Sequence, residues 1–348
     1  MVMKLGLMAG YSPAQIKIPM EQILEAERLG FDSVWTAEAY GSDALTTAAW
    51  VLAKTSRIKV GTAIVQMPAR TPTCTAMSAM TLSEMSGGRF ILGIGPSGPG
   101  VIEGWHGVAY GRPLTRTREY VDILRKIFSR REKLEHEGYH YQIPYRGKDA
   151  KGVGRPIKSI LHTSHPIPIY TAAITPAGLR CAGEVANGVF PIWMNPQRFD
   201  LLGPFIEEGL ALAGGEKTLA DFDVAPMVSI VIGDNLAECR TDVKAHLALY
   251  IGGMGPPGHN FYNDYASRMG YAAEARQIQQ LYLTGKKVEA AQAVPDQLVD
   301  DCALVGPAER IRERLKVWKE AGSRGHVGSM LVGGATIDAL RLLAEELL

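Results

Sequence analysis

The sequence contains few cysteines and no cysteine pair spaced to hold a metal. Its 348 residues include only Cys74, Cys181, Cys239 and Cys302, which are far apart and form no C-x-x-C motif. A disulfide framework or a zinc ribbon requires a different number or spacing of cysteines. The pattern therefore excludes both, and it predicts reduced thiols in a cytoplasmic protein.

Long apolar runs are also absent. No stretch approaches the roughly 20 apolar residues that cross a bilayer. A strand pattern begins at residues 2–8, which leaves no room for the charged, apolar and cleavage regions of a secretory signal. We therefore expect neither an export signal nor a membrane span.

Neither sign of charge is in excess. The chain has 37 Lys and Arg residues against 36 Asp and Glu residues, and its net charge is +1. Such a balance gives no field that would recruit nucleic acid or an anionic membrane. The hydrophobic content of 46% is ordinary for a globular protein with a large core, so we expect a folded protein whose partner is a small molecule.

Strand and helix patterns alternate along nearly the whole chain. Short apolar segments that end in glycine, proline or polar residues predict strands, and apolar residues at helical spacing predict the helices that follow them. The predicted strands are 4–8, 33–38, 58–65, 89–95, 168–173, 188–193, 222–232 and 327–332. The predicted helices are 20–29, 44–54, 71–86, 114–128, 176–186, 198–213, 235–250, 308–321 and 337–347.

Eight strands, nearly all followed by helices, predict an α/β protein with a (β/α)8 TIM barrel. We interpret residues 1–348 as one barrel domain. Two irregular stretches, approximately 132–167 and 252–303, are interpreted as insertions, the first with a hairpin and the second with helical pieces. A doubly wound sheet is the alternative, but the regular rhythm over the whole chain favours the barrel.

The stretch Gly93–Gly98 matches the dinucleotide-binding fingerprint G-x-G-x-x-G. That fingerprint must open a helix within a βαβ unit. Pro96, Pro99 and Gly100 instead predict that the loop continues past the strand. We therefore disfavour a nicotinamide site here, although the lack of bulky side chains indicates that something approaches this backbone closely.

Residues His136–His140 match the zinc-binding pattern H-E-x-x-H. The pattern binds zinc only on a helix, where it places both imidazoles on one face. Gly138 lies at its centre, Tyr139, Tyr141 and Ile143 alternate as in a strand, and no third ligand follows. The segment is therefore predicted to be a surface hairpin, and no metal is expected.

The βα loops of a barrel carry its chemistry. Glu38 ends the second predicted strand, where it could bond a ring N–H, act as an acid or base, or pair with an arginine. Thr175 and Pro176 predict a helix N-terminus that could hold a phosphate, although an ordinary capped helix has the same pattern. No catalytic triad or P-loop lysine accompanies them. These residues indicate a barrel enzyme that binds a flat, phosphorylated ligand.

A combination of short motifs resembles the luciferase-like monooxygenase superfamily, and within it the branch that uses deazaflavin F420 and includes methylenetetrahydromethanopterin reductase. The resemblance covers nearly the whole chain. Its motifs are V-G-T-A-I at 60–64, T-L-S-E-M-S-G-G-R-F at 81–90, L-G-I-G at 92–95, G-R-P at 111–113, R-E-Y at 118–120, A-G-E at 182–184, N-G at 187–188 and V-G-P at 305–307.

The resemblance implies that F420 lies across the C-terminal mouth of the barrel. It implies a cis peptide bond between Ala63 and Ile64 that backs the deazaflavin ring, and it makes homodimerisation compatible with this chain. The residues expected to line the ring and its side chain are Glu38, Gln66, Pro96 and Ser97. The residues expected to meet the phosphate are Ile174, Thr175, Ala177 and Gly178.

The sequence departs from one branch of this superfamily at two positions. Sugar-phosphate dehydrogenases have an Asp-His pair after strand two and a catalytic glutamate after strand four, whereas this chain has Glu38-Ala39 and Gly98. Glu103 lies near but at a different spacing, so it receives no role. These departures disfavour a dehydrogenase of that kind and leave the substrate open.

Three functions remain to be compared. The leading hypothesis is an F420-dependent oxidoreductase that transfers a hydride between C5 of the deazaflavin and an unidentified organic substrate, with Glu38 as the candidate acid or base. The alternative within the superfamily is an FMN-dependent monooxygenase. The alternative of another class is a barrel that binds F420 or another ligand without turnover.

Overall fold

A computed structural model describes residues 3–215 and 217–348. These residues form an α/β fold in which helices surround a curled, mostly parallel sheet. The strands are β1 (Lys4–Gly10), β2 (Ser33–Thr36), β3 (Lys59–Thr62), β4 (Val65–Gln66), β5 (Phe90–Gly95), β6 (His136–Glu137), β7 (Gln142–Ile143), β8 (Ile169–Ala172), β9 (Gly188–Phe190), β10 (Asp223–Val224), β11 (Met227–Ile232), β12 (Ala303–Gly306) and β13 (Ser329–Gly333).

The helices follow the strands in the order that the sequence predicts, with additional ones after β5 and in the second insertion. They are α1 (Met20–Leu29), α2 (Ala44–Lys54), α3 (Pro72–Met85), α4 (Pro99–Gly104), α5 (Pro113–Ser129), α6 (Pro176–Val185), α7 (Gly203–Ala213), α8 (Leu236–Gly253), α9 (Phe261–Ala266), α10 (Ala272–Leu283), α11 (Lys287–Gln292), α12 (Asp296–Cys302), α13 (Ala308–Ser323) and α14 (Ile337–Leu347).

The order of the main sheet is β10-β9-β8-β5-β3-β2-β1-β13-β11-β12, and β4 adds to β5. All of these pairings are parallel. β10 pairs with β9, whereas β11, which two residues separate from β10, pairs with β13 and β12. One segment of chain therefore contacts both ends of the strand order, and the sheet curls.

The core has two parts. A large apolar cluster lies between the strands and the surrounding helices. A smaller one lies inside the curled sheet, where the ring of Trp35 is 5.5 Å from that of Tyr170 and 5.0 Å from that of Phe190. Trp35 is 2% exposed, so this aromatic cluster fills the interior.

Local capping explains where the helices begin and end. The carboxylate of Asp43 accepts a hydrogen bond from the N–H of Thr46 at 2.6 Å and starts α2, as the sequence predicts. Gly30 ends α1 with a φ of 96°, a left-handed conformation that glycine adopts without a steric penalty. α1, α2 and α14 have the predicted bounds.

Two strands that the sequence predicts as continuous are divided. The predicted strand 58–65 becomes β3 and β4, because the chain departs from the sheet at Ala63 and Ile64. The predicted strand 222–232 becomes β10 and β11, separated by Ala225 and Pro226, since proline has no N–H to donate to a neighbouring strand.

Three further boundaries differ from the sequence-based predictions. The predicted helix 198–213 is divided into a short 3-10 turn, Phe199–Leu201, and α7, which has Pro204 in its first turn. Helix α4 begins at Pro99, where a loop is predicted, because proline fits the first turn of a helix. Strand β12, which the sequence analysis does not predict, follows α12 directly and adds to β11.

The hairpin predicted around the H-E-x-x-H motif is confirmed. β6 and β7 pair antiparallel, with His136 opposite Ile143. The carboxylate of Glu119 accepts hydrogen bonds from the N–H groups of Tyr139, His140 and Tyr141 and holds the turn. The motif therefore does not lie on a helix.

The second insertion contains helical pieces, as expected: α9 to α12 lie between α8 and β12. Between α9 and α10 the chain makes a π-helical turn, Ser267–Tyr271, in which Gly270 has a φ of 110°. Among the described residues, no helix is both long and apolar enough to cross a membrane.

Candidate active site

The C-terminal ends of β4, β5 and β8 lie side by side. In the register of the sheet Gln66 pairs with Gly95, and Ile94 pairs with Thr171. Two of the predicted ring-binding residues follow β5, and the predicted phosphate-binding residues follow β8. Because these strands are neighbours, both groups lie at the same C-terminal end of the sheet.

Glu38 connects two of these loops through the backbone. Its Oε1 accepts a hydrogen bond from the N–H of Gln66 at 2.8 Å, and its Oε2 accepts one from the N–H of Ala44 at 3.1 Å. Burial raises the pKa of the Glu38 carboxyl, although these two hydrogen bonds oppose the shift. Arg70 lies near but forms its ion pair with Asp43.

Gln66 uses its side chain to hold the loop that follows β5. Its Nε2 donates to Oγ of Ser97 at 2.8 Å, and its Oε1 is 2.8 Å from Nε2 of His106. Ser97 has a φ of 58°, which is uncommon for a residue other than glycine and is found often at functional sites. Gln66 is 2% exposed, so its contacts are fixed by the surrounding structure.

The same loop is held a second time by Tyr110. Its hydroxyl donates to the carbonyl oxygen of Ser97 at 3.0 Å. The guanidinium of Arg116 donates to the carbonyl oxygens of Tyr110 at 2.8 Å and Ala109 at 2.9 Å. The sequence places His106 and Tyr110 in a loop that could wall a pocket, but it gives no signal that they contact Gln66 or Ser97, and Arg116 is not predicted as a site residue.

The peptide bond between Ala63 and Ile64 is cis, as the resemblance implies. Ile64 lies over Gly95, where an added Cβ would be 2.9 Å from its Cδ1. At Gly93 an added Cβ would be 1.8 Å from the carbonyl oxygen of Thr62. These two glycines are therefore required by packing between strands.

Gly98 differs from the other glycines of the G-x-G-x-x-G pattern, because an added Cβ would meet nothing within 4 Å. A helix does follow it, which corrects the predicted loop, but α4 is only six residues long. The next element is helix α5 and not the parallel strand of a βαβ unit, so the pattern has no dinucleotide-binding context.

The predicted phosphate-binding residues form one turn at the start of α6. Thr175 is the N-cap, and its Oγ1 accepts the N–H of Gly178 at 3.1 Å. The N–H of Ala177 has no partner among the described residues, so it is available to an anion. The guanidinium of Arg268, from the second insertion, donates to the carbonyl oxygen of Ile174 and brings a positive charge to this turn.

A partly open pocket lies at the opposite, N-terminal end of the strands. It has a volume of about 300 Å³ and is lined by residues that include Trp35, Tyr170 and Asp223. Oδ2 of Asp223 accepts hydrogen bonds from the hydroxyl of Tyr170 at 2.9 Å and from Oγ of Ser329 at 2.6 Å. These contacts join β10 to β8 and β13. They lie at the N-terminal ends of the strands, and in barrel proteins residues at that end contribute to stability rather than catalysis.

The chain belongs to the luciferase-like monooxygenase family, whose sequence pattern matches residues 3–325. It is 41% identical over 344 residues to a Mycobacterium tuberculosis protein that is provisionally named a coenzyme F420-dependent oxidoreductase, covering 98% of each chain. The resemblance inferred from the sequence motifs is therefore confirmed.

Two solved structures show the same fold. The F420-dependent tetrahydromethanopterin reductase of Methanopyrus kandleri has a TM-score of 0.74 and 23% identity, with 100% of this chain and 99% of that chain covered. The oxygenating constituent of 3,6-diketocamphane monooxygenase from Pseudomonas putida, in complex with FMN, has a TM-score of 0.67 and 20% identity, with 100% and 98% covered. The fold is therefore shared by proteins that use either cofactor.

Proposed function

We propose that this protein is an F420-dependent oxidoreductase that transfers a hydride between the deazaflavin and an organic substrate. The observation that carries the proposal is that the Gln66–Ser97 contact, at the ends of β4 and β5, lies next to the turn that begins α6 after β8, because β5 pairs with both β4 and β8. The C-terminal end of the sheet then offers both a surface for a flat ring and backbone N–H groups for a phosphate. The sequence identity to the M. tuberculosis protein supports F420 as the cofactor.

The residues present fit such a cofactor. Gly98 is open, Ile64 is partly exposed where it packs on Gly95, and the α6 turn has an N–H available together with the charge of Arg268. When bound, F420 supplies a ring carbon that accepts or donates a hydride. The expected contacts of Glu38, Gln66, Pro96 and Ser97 with the ring, and of Ile174, Thr175, Ala177 and Gly178 with the phosphate, are part of this proposal.

The chain's own residues would orient the ring and exclude water. Gln66, Ser97, His106 and Tyr110 hold the β5–α5 loop at the strand ends, so this loop can cover a ring placed there. The carboxylate of Glu38 accepts hydrogen bonds from the N–H groups of Ala44 and Gln66. It therefore fixes the start of α2 relative to Gln66. We infer that Glu38 positions these loops and that its raised pKa suits its carboxyl to hold a proton for transfer.

We also infer that the curled sheet is a complete (β/α)8 barrel and that the site lies at its C-terminal mouth. The inference is supported by the pairing of β10 with β9 and of β11 with β13. β10 and β11 can then be the two parts of one interrupted strand, the seventh of the barrel. In this interpretation β12 is an addition at the edge of β11. A crystal structure with cofactor bound tests both statements.

The FMN-dependent monooxygenase is the second candidate, favoured by the FMN complex of the structural neighbour from P. putida. Titration of the purified protein with F420 and with FMN, followed by ligand fluorescence, separates the two. We expect F420 to bind at micromolar concentration and FMN to bind more weakly. Binding of FMN without binding of F420 would overturn the proposal.

A barrel that binds F420 without turnover is the third candidate, since Ala39 and Gly98 occupy positions that carry acid and base groups in the sugar-phosphate branch. Oxidation of reduced F420, followed by its absorbance with a broad panel of carbonyl and alkene substrates, tests it. Turnover with any substrate supports the oxidoreductase. Tight F420 binding with no turnover across the panel supports the binding protein.

A further inference from the structure

The second insertion brings one arginine to the turn that begins α6. Helices α9 and α10 of this insertion are joined by the π-helical turn Ser267–Tyr271, and Arg268 lies in that turn. Its guanidinium donates a hydrogen bond to the carbonyl oxygen of Ile174, 94 residues earlier in the chain. Among the described residues, no other hydrogen bond joins the insertion to residues 174–178.

The guanidinium of Arg268 is held in one orientation. Its Cζ is 5.2 Å from the ring centre of Tyr265, which lies one turn earlier in α9. Tyr265 is 1% exposed, so the ring is fixed by the packing around it, and a guanidinium over an aromatic face is a favourable contact. With the ring on one side and the carbonyl oxygen of Ile174 at one nitrogen, Arg268 is preorganised to bind a further group.

The guanidinium of Arg268 has no counterion in the protein. Arg240 in α8, for comparison, pairs with the carboxylate of Asp296 at 2.7 Å. Arg268 has no such partner among the described residues, and the acidic side chain that affects it, Asp264, is exposed and forms no hydrogen bond with it. Burial lowers the pKa of Arg268 by more than Tyr265 and Asp264 raise it, although an arginine stays protonated. A half-buried positive charge is therefore left uncompensated, and a bound anion would compensate it.

The unused hydrogen-bond donors of Arg268 are accessible. Its Nη2 bonds the carbonyl oxygen of Ile174, whereas Nε and Nη1 have no partner among the described residues and neither atom is fully buried. A planar guanidinium with free N–H groups matches the oxygens of a phosphate. The N–H of Ala177, an exposed residue in the same α6 turn, also has no partner among the described residues. Two separate parts of the chain therefore offer donors at one turn.

On the basis of the proposed function, we propose that Arg268 binds the phosphate of the cofactor and that cofactor binding thereby tightens the second insertion against the α6 turn. The guanidinium supplies the positive charge and directed N–H groups, and the N–H of Ala177 supplies a further donor. The hydrogen bond to the carbonyl oxygen of Ile174 keeps the guanidinium beside this turn. The insertion is then part of the cofactor site rather than a cover outside it.

Three deazaflavins that differ in their charged groups test this proposal. Deazariboflavin has the ring and the ribityl chain without a phosphate, deazariboflavin phosphate adds the phosphate, and F420 adds both the phosphate and the carboxylates of its tail. Titration followed by deazaflavin fluorescence measures their affinities for the wild-type protein. We expect the two phosphorylated compounds to bind about tenfold or more tightly than deazariboflavin, because hydrogen bonds to charged groups are the strong ones. Equal affinities would overturn the proposal.

Variants of Arg268 identify the group that the guanidinium contacts. Arg268→Met keeps an apolar stem but removes the charge and the N–H groups, so we expect F420 and deazariboflavin phosphate to bind about tenfold more weakly and deazariboflavin to bind as before. Arg268→Lys keeps the charge without the planar fork and should lie between. Arg276→Met removes the same charge from an exposed position on α10, and this control should bind all three compounds as the wild type does.

Two other results of the same titrations would contradict the proposal. If Arg268 only anchors the insertion, Arg268→Met should weaken the binding of all three compounds equally. If the guanidinium meets the tail of F420, the variant should lose affinity for F420 and keep its affinity for deazariboflavin phosphate. Either result would exclude the phosphate as the group that Arg268 binds.

Hydrogen exchange of the wild-type protein decides the proposal even where a variant does not fold. A ligand that bridges the α6 turn and Arg268 should slow exchange in α9 and in the π-helical turn. We expect this slowing with saturating deazariboflavin phosphate and not with saturating deazariboflavin. The same exchange with both compounds would overturn the proposal.

The failure of this proposal differs from the failure of the proposed function. If deazaflavins bind and the loss of Arg268 affects them equally, only the role of Arg268 is wrong. If none of the three deazaflavins binds, the proposed function fails. FMN and riboflavin, which also differ by one phosphate, then decide the role of Arg268 in the same way.

Discussion

Gln66 and Ser97 join the ends of two neighbouring strands, with Nε2 of Gln66 donating to Oγ of Ser97 at 2.8 Å. Gln66 ends β4, and Ser97 lies two residues beyond β5. The same glutamine contacts His106 at 2.8 Å. One buried side chain therefore fixes both the start and the middle of the β5–α5 loop, on which the proposed cofactor site depends.

Replacing Gln66 with Ala should weaken F420 binding about tenfold, because two hydrogen bonds worth about 1 kcal/mol each are lost and the loop is released. Fluorescence titration measures the affinity, and hydrogen exchange over residues 98–112 measures the release of the loop. Gln142→Ala removes a side-chain bond to Glu137 in the β6–β7 hairpin and is the matched control. Unchanged exchange in the Gln66 variant would contradict the assigned role.

Glu38→Gln should change how stability depends on pH. Burial raises the pKa of Glu38, so the folded state binds the proton more tightly than the unfolded state. The stability that this group contributes is present below its unfolded pKa of about 4.3 and is lost as pH rises through the folded value. Urea unfolding of wild type and variant at several pH values isolates this contribution.

The difference in the free energy of unfolding between wild type and Glu38→Gln should therefore decrease as pH rises above about 4.3. A difference that grows with pH would mean that the N–H groups of Gln66 and Ala44 stabilise the carboxylate more than burial destabilises it. That result would place the pKa of Glu38 below its usual range and remove it as a proton donor.

Gly178→Asp should bind F420 about tenfold more weakly than Gly178→Ala, because only the aspartate places a negative charge beside the phosphate. Both variants carry the same added Cβ, which would be 2.9 Å from Oγ1 of Thr175 and 3.2 Å from Cβ of Ala173. Comparing the F420 affinities of the two variants therefore removes the steric effect of the added Cβ. A negative charge in the first turn of a helix favours the helix itself, so weaker binding would not reflect loss of α6. Equal affinities would remove this turn from the site.

Asp223→Ala should reduce the free energy of unfolding by about 2 to 4 kcal/mol and leave F420 affinity unchanged. Its carboxylate accepts two hydroxyl bonds that join β10 to β8 and β13, and hydrogen bonds to charged groups contribute about 1.5 to 3 kcal/mol each. Denaturant unfolding and cofactor titration measure the two quantities. Asp234→Ala, at an exposed position, is the control. A large loss of F420 affinity would show that the N-terminal end of the sheet influences the cofactor site.

Local physical rules were sufficient for much of the fold and for one part of the candidate site. The cap at Thr175 followed by Pro176 predicts the start of α6, because the side-chain acceptor and the fixed φ of proline act within one turn. The interruption at Pro226 could have been predicted for the same kind of reason, since a missing N–H is visible in the sequence. The short helix α4 was missed because Pro99 fits a loop and a first helical turn equally well.

The sequence by itself determined the alternation of strands and helices, the main caps and the family. Apolar periodicity and capping chemistry operate between residues that are close along the chain, and the family motifs are local as well. Only the tertiary structure decided that Gln66 contacts Ser97 and His106, that Arg268 reaches the α6 turn, and that Trp193, Tyr250 and Tyr262 pack together. Those contacts depend on how the sheet curls and where the second insertion packs, which no local pattern specifies.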